Sequence, residues 1–126
     1  MIRKATEQKK TVEPELKGGR DTVRLTHFLD EEEAYGTGRL FGVSIIPPGG
    51  SIGYHTHEGD FEIYYIIKGT AKVIDNEDED VLHPGDSMIC REGESHSIEN
   101  IGTCDLEYVA IILYTERKEL ENELSN

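Results

Sequence analysis

Two histidines and a glutamate in the middle of the chain have the residue types and spacing of metal ligands. His55 and His57 are two positions apart, so on a β-strand both imidazoles point to the same face. A turn at residues 58–60 would bring Glu62, which opens the next apolar run, back toward that pair. Two neutral nitrogens and one carboxylate that converge form the outline of a first-row transition-metal site. A fourth candidate, His96, lies far downstream.

The segments around these residues are short β-type runs separated by glycine and proline turns. Residues 62–68 alternate between two faces, and Tyr64 shares the face of Glu62. We therefore expect Tyr64 to line a cavity beside the ligands, with an ordinary core position as the alternative. Many short strands with almost no helical periodicity predict an all-β sandwich or barrel.

Arg39 opens a strand of otherwise apolar character at residues 39–46. An arginine on an apolar face can be an anion clamp for a substrate carboxylate, because its guanidinium binds carboxylates in a bidentate manner. It can equally be an edge residue whose guanidinium reaches water. Both roles stay open for Arg39, which we count as a cavity-lining candidate.

Composition restricts the partners. The 126 residues are enough for one domain with a real core, and 36% hydrophobic with 31% charged residues is ordinary for a globular protein. The net charge of −13 disfavours nucleic acid and anionic membranes as partners. No apolar run is long enough to cross a bilayer and the first residues lack a signal-peptide pattern, so we expect a cytoplasmic protein.

The chain divides into three parts. Residues 1–20 are net basic and interrupted by Pro14 and a Gly18-Gly19 pair, and they are interpreted as an N-terminal arm with one short strand. Residues 21–114 carry the predicted β-structure. Residues 115–126 form a polar tail or a short helix.

At this point the residues match a family pattern. Gly49, His55, His57, Glu62 and Gly69, at these intervals, resemble the first signature of the cupin superfamily. The match covers a single segment of 21 residues, from 49 to 69, that includes all three of the ligand candidates described first. A second block is needed to bring His96 into the same site.

That second block is present. Gly85, Gly93, His96 and Asn100 resemble the second cupin signature, with Arg91 in the place where the family usually has proline. The proline shapes a turn and is not a ligand, so the departure concerns the loop and not the ligand set. The short spacing between the two blocks is similar to that of compact, microbial cupins.

The resemblance implies a single-domain double-stranded β-helix, or jelly roll, over residues 21–114. It implies one divalent transition metal ion per chain (Mn, Fe, Ni, Zn or Cu, with Mn or Fe favoured), whose ligands are His55, His57, Glu62 and His96. Such a set leaves two neighbouring coordination positions for water, substrate or dioxygen. It also implies a homodimer, for which the apolar strand at residues 106–114 is suited.

The implied function is a metal-dependent enzyme that acts on a small anionic or polyol metabolite. Dioxygenases, decarboxylases and isomerases all occur in the superfamily, and no residue here stands out as a general acid or base. The alternative is a non-catalytic module that binds or senses a small ligand and whose metal is structural, because one fold hosts many functions.

Overall fold

The computed structural model describes residues 1–116 as ten antiparallel strands. Helical structure in this range is confined to two short 3-10 turns, Ala5–Glu7 and Leu16–Gly18. The strands are β1 (Lys9–Pro14), β2 (Thr22–His27), β3 (Gly38–Ile46), β4 (Ser51–Thr56), β5 (Asp60–Lys68), β6 (Ala71–Asp75), β7 (Asp78–Leu82), β8 (Ser87–Cys90), β9 (Ser95–Asn100) and β10 (Leu106–Tyr114).

The strands form two sheets. The larger sheet has the order β1-β2-β3-β10-β5-β8, and the smaller one has the order β4-β9-β6-β7. Non-consecutive strands are neighbours in both sheets, as the chain passes back and forth between them. This confirms the expected all-β jelly roll with a single domain.

One core lies between the two sheets. Strand β5 shows why: Glu62, Tyr64 and Ile66 are buried, whereas Tyr65 and Ile67 on the other face are exposed. The inward residues of the larger sheet meet inward residues of the smaller sheet in one apolar cluster. This alternation is the period-2 pattern of a half-buried strand.

The N-terminal segment is part of the barrel wall. Strand β1 pairs with β2 and extends the larger sheet. The 3-10 turn that follows packs on β4, where the Ser51 amide donates to the Arg20 carbonyl at 2.9 Å. The backbones approach so closely that a Cβ on Gly53 would lie 2.0 Å from the Lys17 carbonyl oxygen. Only glycine fits there.

The possible C-terminal helix around Leu120 and Leu124 lies outside the described residues. Within residues 1–116, no helix is long and apolar enough to cross a membrane.

Candidate metal centre

Strands from both sheets bring the four ligand candidates together. His55 on β4 lies directly opposite His96 on β9 in the smaller sheet. Glu62 comes from β5 of the larger sheet, and its buried side chain faces the other sheet. His57 follows β4 and is held by its backbone, since its amide donates to the Glu94 carbonyl at 3.0 Å.

The donor atoms of these four residues point at one another. His96 Nε2 lies 3.1 Å from Nε2 of His57 and 3.1 Å from Nε2 of His55. Glu62 Oε1 lies 3.2 Å from His57 Nε2 and 3.1 Å from His96 Nε2. All four donor atoms fall within 4.8 Å of one another, so the cluster could hold one metal ion.

The outer hydrogen bonds of the rings indicate which atoms are free to bind a cation. His55 Nδ1 lies 2.7 Å from the Gly53 carbonyl oxygen, and His57 Nδ1 lies 2.6 Å from Asp60 Oδ1. A carbonyl only accepts, as does an ionised carboxylate, so both rings donate from Nδ1 and can offer Nε2 to a cation. Their Nε2 lone pairs therefore converge with the Glu62 carboxylate, and this electron-rich point fits a divalent cation. Without a cation, the Nε2–H of a protonated His57 ring donates to Glu62 instead.

Burial and neighbouring charges shift the pKa values in the cluster. Burial raises the pKa of Glu62, but hydrogen bonds from His57 and His96 outweigh it and lower the pKa to about 2. The hydrogen bond to Glu62 is the main reason why the pKa of His57 is raised. Burial lowers the pKa of His55. Glu62 is consequently ionised at neutral pH, as a metal ligand must be.

The cluster opens into a cavity of about 480 Å³. Tyr64 and Arg39 both lie on its wall. Tyr64 stacks on the His96 ring, with 5.1 Å between the ring centroids and 14° between the planes. Burial raises the pKa of Tyr64 well above its usual range, so it stays a neutral phenol.

The guanidinium of Arg39 is paired with a carboxylate of its own chain. Its Nε donates to Asp60 Oδ2 at 3.0 Å, while the side chain remains half-exposed. Arg39 is therefore a half-exposed residue of the cavity wall that is paired with Asp60.

The comparison with known families decides the classification. The family described as the cupin domain matches residues 42–112, more than half of the chain. This chain is a cupin.

Its relatives include proteins linked to oxalate. This cupin is 44% identical over 98 residues to an oxalate-binding protein of Thermotoga maritima, an alignment that covers 78% of this chain and 81% of the relative. It also resembles the crystal structure of a protein described as a predicted oxalate decarboxylase, from the same organism. That match has a TM-score of 0.86 and 39% identity, and it covers 90% of this chain and 99% of the other.

A more distant neighbour shows only the fold. The polyketide cyclase RemF of Streptomyces resistomycificus superposes with a TM-score of 0.69 at 20% identity, covering 93% of this cupin and 82% of the cyclase. At this level of identity the shared barrel says nothing about a shared reaction.

Three wall residues of this cupin are not singled out by its sequence motifs. Asp60 contacts both His57 and Arg39, and Ser44 and Tyr108 line the same cavity. The hydroxyl of Tyr108 is buried near the hydroxyls of Ser44 and Tyr64, but no hydrogen bond of normal geometry reaches it within residues 1–116. The only available signal for Asp60 is its place three residues after His57 in a glycine turn. Tyr108 is indistinguishable from a core aromatic residue before the strands are paired.

Proposed function

We propose that this cupin holds one divalent transition metal, Mn or Fe, through His55, His57, Glu62 and His96, and that it binds a small dicarboxylate such as oxalate there. The observation that carries the proposal is the convergence of three imidazoles and one carboxylate, of which His55, His57 and Glu62 lie on the wall of a cavity. Mixed nitrogen and oxygen donors suit Mn and Fe, whereas closed zinc sites are tetrahedral and rich in cysteine. The ion would supply Lewis acidity toward a ligand oxygen.

The cavity wall supports an anionic, oxygen-rich ligand. Arg39 and Lys17 contribute positive charge, and Tyr108 offers a buried hydroxyl that makes no hydrogen bond of normal geometry within the described residues. Burial raises the pKa of Tyr108, so its hydroxyl remains a hydrogen-bond donor at any physiological pH. The relationship to an oxalate-binding protein agrees with a ligand that has carboxylate oxygens at both ends.

Apolar side chains complete the enclosure. Leu25, Leu40, Ile52 and Ile112 line the same cavity as the ligands. Such side chains exclude water, and a polar contact to a bound carboxylate is stronger in the resulting low dielectric. Tyr64 keeps the His96 ring in place by stacking on it. The rigid strands and this packing hold the donors in a preorganised arrangement.

Decarboxylation of the bound acid is the second candidate function. Besides the proposed ligands and Asp60, the cavity wall carries the carboxyl groups of Glu13 and Glu58, which are the right type of group to transfer a proton to a product. The structural neighbour described as a predicted oxalate decarboxylase favours the same reaction. If bound oxalate is released unchanged, the protein is a binding module.

The test begins with the metal content of protein purified without added metal or chelator, measured by plasma mass spectrometry. We expect about one Mn or Fe per chain from a site that has one set of ligands. Oxalate binding is then measured by calorimetry on the loaded protein, with metal-stripped protein as the control. Binding that needs the metal supports the proposal, and equal binding by both forms contradicts it. Assays for formate and carbon dioxide separate turnover from binding.

We also propose a homodimer that pairs through the outer face of the larger sheet. Strand β10 lies at the centre of that sheet, between β3 and β5. Tyr65, Ile67 and Ile89 on the outer face are exposed although they are large and apolar. A second copy of the chain would cover such a patch.

A further inference from the structure

In each of the three imidazoles, Nδ1 is the ring nitrogen that faces away from the cluster. The three rings differ in the hydrogen-bond partner of this atom. The Gly53 backbone carbonyl accepts from His55 Nδ1 at 2.7 Å. The Asp60 side chain contacts His57 Nδ1 at 2.6 Å. Nδ1 of His96 has no partner in the described part of the chain. Of the three rings, only His57 is held at Nδ1 by a side chain, and that side chain is a carboxylic acid.

Asp60 is itself held in place. It is the first residue of β5, and its side chain is only 9% exposed. One carboxylate oxygen faces His57 and the other accepts from Arg39 Nε at 3.0 Å. Arg39, Asp60 and His57 therefore form a continuous hydrogen-bonded chain from the cavity wall to the donor cluster.

We infer that Asp60 is a positioning residue for the metal centre, which keeps the proton of His57 on Nδ1 and fixes the ring so that Nε2 faces the metal. The inference rests on the proposed function, because it assigns Asp60 a role in that same site. Arg39 completes the arrangement by holding the second oxygen of Asp60. Loss of such an outer partner typically lowers metal affinity by about 10- to 100-fold.

The Asp60→Asn variant gives a specific expectation, because Arg39 can only donate. The amide oxygen of the new side chain has to face Arg39, which turns the NH₂ group toward His57 Nδ1. An NH₂ donor requires a lone pair on Nδ1, so the ring proton moves to Nε2 and blocks ligation. We expect metal affinity to fall by about 10- to 100-fold.

Removing Arg39 in the same chain should reverse part of that loss. In the double variant Arg39→Met with Asp60→Asn, the amide can rotate and offer its oxygen to His57 Nδ1. The double variant is therefore expected to bind metal more tightly than Asp60→Asn alone. If Asp60 had a purely structural role, the double variant would bind metal no more tightly than Asp60→Asn, because the losses of affinity from the two substitutions would add or reinforce each other.

The measurement has two parts. Co²⁺ affinity is determined by competition with a chromophoric chelator for wild type, both variants and the control Asp86→Asn, which alters another His-Asp pair three residues apart, at His83 on the surface. The His57 tautomer is read from ring ¹⁵N shifts in metal-free protein at alkaline pH. The tautomer measurement tests the inference even if the wild-type protein takes up no metal. Failure to take up metal would refute only the proposed function.

The expected result is an Nδ1–H ring in wild type, an Nε2–H ring in Asp60→Asn and recovery of Nδ1–H in the double variant. The control should match wild type in both measurements. An unchanged tautomer in a folded Asp60→Asn protein would overturn the inference. Equal Co²⁺ affinity of Asp60→Asn and a metal-binding wild type would overturn it as well.

Discussion

Each proposed ligand is a buried or half-buried polar residue that the barrel would not otherwise need. His96 is fully buried, and it contacts His55, His57 and Glu62 through a single nitrogen. Nitrogen lone pairs that face one another repel, so this arrangement is favourable only when a cation or a proton lies between them. A bound metal ion would offset the free-energy cost of burying these polar groups.

Replacing His96 should therefore remove the metal and leave the barrel intact. We expect His96→Ala to lower metal affinity by more than the roughly 10- to 100-fold that loss of an outer partner causes. Metal content after purification and circular dichroism measure the two effects. His83→Ala is the matched control, because His83 is exposed and is not part of the donor cluster. Full metal content in a folded His96→Ala protein would refute the ligand set, and His55→Ala offers the same test.

Glu62 should make the stability of metal-free protein depend on pH. Its pKa is lowered from the ordinary 4.5 to about 2, so its stabilising contribution is present above pH 4.5 and is lost as the pH falls toward 2. The raised pKa of His57 acts in the other direction, since that contribution is present below its ordinary value of 6.5 and is lost as the pH rises through the folded value.

We expect Glu62→Gln to flatten the acid limb of the stability curve. The wild-type protein should lose on the order of 2–3 kcal/mol more than the variant between pH 4.5 and 2. Urea unfolding of metal-stripped protein at several pH values measures the difference. Parallel curves for the two proteins would show that the carboxylate is not held by the histidines in solution.

Tyr108 allows metal binding and ligand binding to be separated. Tyr108 lies on the cavity wall, its hydroxyl makes no hydrogen bond of normal geometry within the described residues, and it is absent from the ligand set. We expect Tyr108→Phe to keep its metal and to weaken oxalate binding by roughly 5- to 10-fold, the value of one ordinary hydrogen bond. Calorimetry on the loaded variant provides the measurement. Unchanged oxalate affinity would place the ligand elsewhere in the cavity.

Among the strands, β4 should tolerate substitution least, since it bears His55 and the 3-10 turn Leu16–Gly18 packs on it. A Cβ on Gly53 would meet the Lys17 carbonyl oxygen at 2.0 Å, so Gly53→Ala must push that segment away. Lys17 and Leu16 would leave the cavity wall, and the Gly53 carbonyl that holds His55 would shift.

We therefore expect Gly53→Ala to destabilise the protein by about 1–3 kcal/mol, as overpacking does. Gly102→Ala is the control, since the nearest atom to its Cβ would lie 3.4 Å away, an ordinary contact. Thermal unfolding of both variants distinguishes them. Equal melting temperatures would mean that residues 15–19 do not rest on β4 in solution.

The sequence predicts the features of the site that depend on a single strand, but not those that depend on contacts between distant segments. The His-x-His spacing and the alternation of residues 62–68 predict inward-facing side chains, because both depend on neighbours within one strand. The contact between Arg39 and Asp60, and the approach of Lys17 to Gly53, depend on how distant segments pair. No local pattern encodes that pairing. The wall of the site is therefore visible only in the folded structure.

At the scale of the whole molecule, the outer face of the larger sheet exposes large apolar side chains that one chain alone does not account for. Val43, Val109 and Tyr65 lie side by side across β3, β10 and β5, and Ile63 lies beside Ile89 on β8. The opposite face of the same strands is already buried in the core. A twofold dimer would use this one patch on both copies.

We expect wild-type protein to have twice the mass of one chain in light scattering after size-exclusion chromatography. Ile89→Glu should give monomers, because each copy would bury an unpaired charge in an apolar contact. Val81→Glu is the control, since Val81 is a similarly exposed residue on β7 of the smaller sheet. A wild-type monomer, or an Ile89→Glu dimer, would rule out this face as the interface. If the monomeric variant keeps its metal, the centre is complete within one chain, as expected when all four proposed ligands come from one barrel.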